Sequence, residues 1–188
     1  MKTELREKVK RLVVPRDGSE AIQRRLLEQD WWAVAFQVGI YRSTATEPST
    51  NLLLEDLFAR GAQVAVPVQQ EKEGYAWGWV DFSTVWKTKA HGILEPTQSV
   101  PASAAELRVI LVPGLAFDAK GGRLGHGKGY FDRLLAKTNA LRIGLCFENH
   151  LVEAVPMESH DVRMDVVVTE KRFLFAPTAE AKLNELLV

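Results

Sequence analysis

Apolar positions along the chain fall into helical and strand rhythms in alternation. Residues 2–13 put Leu5, Val9 and Leu12 at helical spacing, with Lys2, Arg6, Lys8, Lys10 and Arg11 on the opposite face, which predicts a short amphipathic helix. A break follows from Pro15 to Gly18, then a helix expected over 20–29 that buries Ile22, Leu26 and Leu27. Residues 33–41 are apolar and rich in β-formers and read as a buried strand. Thr50 can cap a helix that buries Leu53, Leu54, Leu57 and Phe58 and stops at Gly61. A strand is predicted over 63–68, and two more are expected to follow around a turn at Glu73-Gly74, the second over 75–82, on which Trp77 and Trp79 share a face. Residues 107–112, 141–147 and 165–169 read as further strands. Helices are expected over 130–137, facing inward with Phe131, Leu134 and Leu135, and over 178–187.

Several of these strands are continuous apolar runs, and they alternate with helices. That pattern predicts an α/β fold: an open, mostly parallel sheet with helices on both faces, formed by one domain over 1–188. Ligands of such sheets sit outside the carboxyl ends of the strands. The connection from Tyr41 to Glu47 and the segment after Val112 both leave strands there, so both can line one cleft.

That second segment carries the strongest chemical signal. Gly121, Gly122, Gly125, Gly127 and Gly129 fall within nine positions, interleaved with Arg123, His126 and Lys128. Glycines at this density let main-chain amides converge on one point, and basic side chains with a helix start behind them favour an anion. The expectation is a phosphate cradle. Gly122-x4-Gly127-Lys128 matches the start of a Walker A loop, but Gly129 stands where a hydroxyl would hold magnesium. Metal ligands would then come from carboxylates, and Asp132 is the nearest. The plainer reading is a glycine-rich surface turn without a ligand.

Composition narrows the class. Lys+Arg and Asp+Glu are each 24 in 188 residues, so the net charge is zero, which argues against a nucleic-acid binder. The single cysteine, Cys146, forms no internal disulfide, sits in an apolar run and fits a reducing cytoplasm. No run approaches the roughly 18 apolar residues of a membrane span. His91, His150 and His160 show no metal-ligand spacing.

Val112-Pro113-Gly114-Leu115-Ala116-Phe117-Asp118, followed by the run from Gly122 to Arg133, resembles the signature of the 5-formyltetrahydrofolate cyclo-ligase family. Lys2-x-x-Leu5-Arg6, Tyr41 through Thr50, Gly92-Ile93-Leu94-Glu95-Pro96, Pro156 through Asp161, and Val166 through Thr169 match further pieces in order. The resemblance implies a sheet similar to that of sugar-phosphate isomerases and CoA-transferases. It implies ATP- and Mg2+-dependent closure of 5-formyltetrahydrofolate to 5,10-methenyltetrahydrofolate through a phosphorylated formyl oxygen. By the same resemblance, Lys2, Arg6, Arg123, Leu124, Gly125, His126, Gly127, Lys128, Gly129, Tyr130 and Phe131 contact ATP. Arg42, Glu47 and the 126–130 stretch contact the folate, Lys128 and Arg123 balance charge in transfer, and Asp132 and Asp161 hold magnesium. Phe131 replaces a tyrosine common in the family. A cytoplasmic monomer is expected, with a weak homodimer as the alternative. Two other readings stay open: another phosphate-handling enzyme on a similar sheet, or a folate or nucleotide binder without turnover.

Overall fold

The structure, a computed structural model, describes residues 1–71, 74–89 and 92–188. Glu73 of the expected turn and His91 lie outside the described residues.

The chain opens with α1 (Lys2–Val9), α2 (Gly18–Leu27), α3 (Asp30–Ala33), β1 (Gln37–Gly39), α4 (Asn51–Ala59) and β2 (Gln63–Gln69). β3 (Tyr75–Val80), β4 (Trp86–Thr88), β5 (Leu94–Pro96), β6 (Val100–Pro101) and β7 (Val109–Val112) follow. Then come β8 (Ala116–Asp118), β9 (Arg123–Leu124), α5 (Tyr130–Leu135), β10 (Leu141–Leu145) and β11 (Leu151–Val152). The chain ends with β12 (Val166–Val168), β13 (Phe173–Phe175) and α6 (Ala179–Leu187).

The main sheet has eight strands in the order β13-β12-β10-β7-β1-β2-β3-β6. Its centre, from β12 to β2, is parallel, and β13, β3 and β6 add antiparallel edges. The expected mostly parallel α/β sheet is therefore present. Alternation along β7 divides the core: Val109 and Leu111 face a cluster with residues of α2, α3, α4 and α6, while Ile110 and Val112 face one with Leu134 and Leu135 of α5. Helices thus cover both faces unequally. α1 lies apart, its Val9 packed with Leu115, Ala116, Leu124 and Val155 on the small β11-β8-β9 sheet. Among the described residues, no helix is long and apolar enough to cross a membrane.

Several elements are shorter than the pattern predicts. The expected strand at 33–41 shrinks to β1, because residues 30–33 turn helical and bury Trp31 and Trp32 together. A strand would send adjacent indoles to opposite faces. Thr50 does not cap α4 with its side chain; its hydroxyl donates to Tyr41 O at 2.7 Å. Buried Gln23 of α2 takes over, accepting from Leu52 N at 2.9 Å. The helix expected over 130–137 ends at Leu135, where Thr138 N turns back onto the Leu135 carbonyl. Pro67 sits within β2 without cost, since β1 pairs only as far as Ala65 and no ladder bond is lost.

Candidate active site

Strand order reverses at β1, which has β2 on one side and β7 on the other. Both β1 and β7 end toward a cleft of about 1410 Å³, the place where a doubly wound sheet opens a crevice. Its walls come from α1, the segment after β1, β5, the glycine segment and residues 158–161. Among the described residues, seven Lys and Arg side chains line it against five carboxylates, so it favours anions.

The glycine segment divides into two parts with different tasks. Asp118, 3% exposed, accepts from the amides of Lys120, Gly122 and Val155, each at 2.8 Å. Gly121 has φ +79°, and a Cβ there would run into the Met164 carbonyl. Gly121 and Gly122 therefore build the β8–β9 turn, and the Gly122 amide is already used. This corrects the expectation that the cradle begins at position 122. The Walker-like spacing falls on a hairpin, with Arg123 and Leu124 in β9, and so differs from a strand-loop-helix phosphate loop.

The second part, Gly125 to Gly129, lines the cleft. Among the described residues, no acceptor stands opposite the amides of Gly125, His126, Gly127, Lys128 or Gly129. Gly127 at φ +101° and Gly129 at φ +63° give the turn a left-handed backbone. Successive free amides in such a turn can converge on an anion.

Arg123 and Lys128 occupy different settings. The Arg123 side chain is 5% exposed; it donates to Asp132 Oδ2 at 2.7 Å and to Pro113 O at 3.2 Å, beneath Phe131. Its Nε is buried without a partner. Lys128 is exposed on the loop, its Nζ 5.7 Å from the Tyr130 ring centroid, free to swing onto a ligand.

α1 brings its cations one turn apart onto the same rim. Arg6 Nε donates to Gly125 O at 2.8 Å, and its guanidinium lies against Gly127. Lys2 Nζ donates to Asp161 Oδ2 at 2.6 Å and lies 2.8 Å from Glu158. Burial works against the Lys2 ammonium, but these two carboxylates outweigh it and raise its pKa. Asp161 is held below the usual carboxylate range, because its bonds to Lys2 and the Glu158 amide overcome burial.

The opposite wall is the segment after β1. Tyr41, 3% exposed, donates to Pro48 O at 2.7 Å and so folds residues 42–48 into a loop. Burial, then the charge of Glu47, push its phenol well above the usual range. Glu47 Oε2 accepts from both the amide and the hydroxyl of Thr44 at 2.9 Å, leaving Oε1 3.9 Å from His126 Nε2 across the cleft. Arg42 lies over Trp86, 4.8 Å from the ring centroid, and burial lowers its pKa.

Apart from Gly121 and Gly122, every residue expected in the site from the sequence lines this one cleft. Asp132 and Asp161 are both there, each engaged by a cation. Among the described residues, no group of three or more His, Cys, Asp or Glu side chains forms a metal cluster. Sequence reasoning missed Tyr75, Lys89, Arg133 and Glu158 in the lining, and gave no role to Glu95. The signals for Glu95 were its place in the Gly92-to-Pro96 stretch of the family resemblance and a charge set between Leu94 and Pro96 in a short strand.

The model of the "5-formyltetrahydrofolate cyclo-ligase family" matches residues 1–170. A 5-formyltetrahydrofolate cyclo-ligase from Mycolicibacterium smegmatis is 36% identical over 145 residues, 72% of this chain and 74% of that protein. The solved 5,10-methenyltetrahydrofolate synthetase of Aquifex aeolicus superposes with a TM-score of 0.82 at 30% identity, over 94% of this chain and 93% of that one. A second such structure, from Mycoplasma pneumoniae, shares the fold at a TM-score of 0.71 and 17% identity, over 90% of this chain and 98% of that one. With an open-amide glycine turn on the crevice of its sheet and a family match over residues 1–170, the chain belongs to the 5-formyltetrahydrofolate cyclo-ligase family, a family of ligases.

Proposed function

We propose that this protein, acting as one unit over 1–188 in the cytoplasm, uses ATP to close 5-formyltetrahydrofolate to 5,10-methenyltetrahydrofolate. The carrying observation is the run of amides from Gly125 to Gly129, unpaired among the described residues, on residues that line a cationic cleft beside Arg6 and Lys128. The likeness of the sheet to those of sugar-phosphate isomerases and CoA-transferases belongs to the same reading.

An amide oxygen is a poor leaving group, so the formyl oxygen first attacks the terminal phosphorus of ATP, and the bond to the β-phosphate oxygen breaks to release ADP. Nitrogen 10 then attacks the formyl carbon, loses its proton, and the carbon–oxygen bond breaks to release phosphate. Such chemistry needs positioning and charge balance more than a protein nucleophile. The amides of Gly125, Gly127 and Gly129 hold phosphate oxygens. Lys128, exposed on the loop, follows the charge onto the leaving oxygen. Arg123, buried and paired, holds Asp132 and the start of α5 in place rather than meeting the phosphate itself. Lys2 and Arg6 fix the nucleotide from α1. Tyr130 and Phe131 offer it aromatic surface, while Glu47, His126 and Arg42 bound the folate side.

Magnesium takes oxygen ligands, usually one or two carboxylates completed by phosphates and water. Asp132 and Asp161 fit that donor set; both line the cleft and both keep part of their surface accessible. When bound, the ion screens the charge on the phosphates.

Purified protein given 5-formyltetrahydrofolate, Mg2+ and ATP is expected to develop the near-ultraviolet absorbance of the methenyl product. No signal at high protein concentration rejects the reading.

A further inference from the structure

Two arginines from different helices hold carbonyls at the two ends of the glycine turn. Arg6 Nε, from α1, donates to Gly125 O at 2.8 Å, and Arg133 Nη1, from α5, donates to Lys128 O at 3.2 Å. Arg133 touches the turn a second time, because its main-chain amide donates to Gly129 O at 3.1 Å. One residue therefore holds the peptide planes on both sides of Gly129. That glycine has a left-handed backbone, φ +63° and ψ 17°, which glycine enters and leaves with little resistance. The guanidinium that restrains it is itself steadied, lying 5.0 Å from the centroid of the Tyr130 ring.

The bond to Lys128 O acts on the far side of its peptide. In a trans peptide the carbonyl and the following N–H point in opposite directions, and none of the described peptide bonds is cis. Holding Lys128 O thus sets the direction of the Gly129 N–H, as holding Gly125 O sets that of the His126 N–H. A glycine turn without such anchors can rotate each plane. An anion that needs several amides at once must then order them as it binds, which weakens its affinity.

We propose that Arg133 is a positioning residue for the phosphate turn: it fixes the Lys128–Gly129 peptide before ATP arrives, and so orients one of the amides on which nucleotide affinity depends. This rests on the reading of residues 125–129 as the grip on the triphosphate. The working part of Arg133 is its hydrogen bond rather than its charge. Charge effects at an exposed site fade as salt is raised, whereas the restraint on a peptide plane persists, so the two roles separate by experiment.

Arg133→Met keeps the length of the side chain and removes both donor and charge. Arg133 is exposed in the last turn of α5, so the variant should melt with the unaltered protein. Nitrogen-15 relaxation in the nucleotide-free protein is expected to show the Gly129 amide near the rigid order parameter of about 0.85, and below about 0.6 in the variant. Calorimetry with a non-hydrolysable ATP analogue should show affinity falling roughly tenfold, the scale of one residue's backbone left to be ordered on binding, by a similar factor at low and high salt. KM for ATP should rise far more than kcat falls. A Gly129 amide that is loose in the unaltered protein, or equally rigid in the variant, overturns the proposal whatever the nucleotide does. A loss of affinity that disappears at high salt also overturns it, and makes the guanidinium a charge acting on the phosphates. Failure of the unaltered protein to bind the analogue is a different result, which removes the functional reading and this role with it.

Discussion

Arg123 and Asp132 meet at 2.7 Å, closing the base of the loop that runs between them. Their side chains are 5% and 13% exposed, so the pair is largely shielded from solvent. It ties β9 to α5 and sets the ends of the 125–129 turn. Breaking such a pair from one side leaves an uncompensated charge and costs about 3 kcal/mol. Arg123→Ala is therefore expected to lower the unfolding free energy obtained from urea titration by that amount and reduce turnover with it. A variant with full stability and lost turnover would instead place the guanidinium directly on the phosphate.

Lys128 makes no ion pair among the described residues and is exposed. Lys128→Ala should leave the melting temperature within a degree or so and cut turnover about a hundredfold or more, the scale of one lost transition-state charge partner. Steady-state rates and thermal melts on the same preparation check both halves.

The two tasks of the glycine segment separate by mutation. A methyl at Gly121 meets the Met164 main chain, whereas one at Gly127 meets only the flexible Arg6 side chain at 3.3 Å. Gly121→Ala should lose about 3 kcal/mol of stability from overpacking together with left-handed backbone strain. Gly127→Ala should lose only about 1 kcal/mol from strain and weaken ATP binding. Equal losses of stability would show that the turn is one structural unit.

Asp161→Asn removes a proposed magnesium ligand and the partner of Lys2. The Mg2+ concentration for half-maximal rate should rise at least about tenfold, the scale seen even for residues that only support a ligand. An unchanged metal requirement takes Asp161 out of the ligand set.

Acid sensitivity has a specific source in Asp165. Burial alone would raise its pKa, but Lys182, Thr178 and Arg142 more than offset it and hold the carboxyl below its ordinary 3.8. A group depressed on folding contributes stability that is complete above the unfolded pKa and is lost as pH falls through the folded one. Urea midpoints should therefore hold above about pH 5 and fall as pH drops through the unfolded and then the folded pKa of this group, and Asp165→Asn, less stable at neutral pH, should flatten that slope. An equal slope in the variant would assign the acid sensitivity elsewhere.

The sheet was legible because its inner strands carry long apolar runs: residues 107–112 and 165–169 need burial on both faces, and they receive it. The cleft was legible because glycine density and basic interleaving are a local property of residues 121–129. Short strands escaped notice, since β4, β8 and β9 are only two or three residues long, too short to show an alternation of apolar and polar positions. The strand expected over 33–41 began too early, because Ala33 completes the helical turn that buries Trp31 and Trp32 together. The inner half of the glycine segment misled for a related reason. Whether the Gly122 amide is free depends on Asp118, and nothing in the spacing of glycines reports that bond.

Whether the amides from Gly125 to Gly129 grip the triphosphate is decided by a crystal structure with a non-hydrolysable ATP analogue and Mg2+. Phosphate oxygens are expected within hydrogen-bonding distance of those amides, with Arg6 and Lys128 alongside. A triphosphate bound elsewhere, with this turn facing solvent, would contradict that grip.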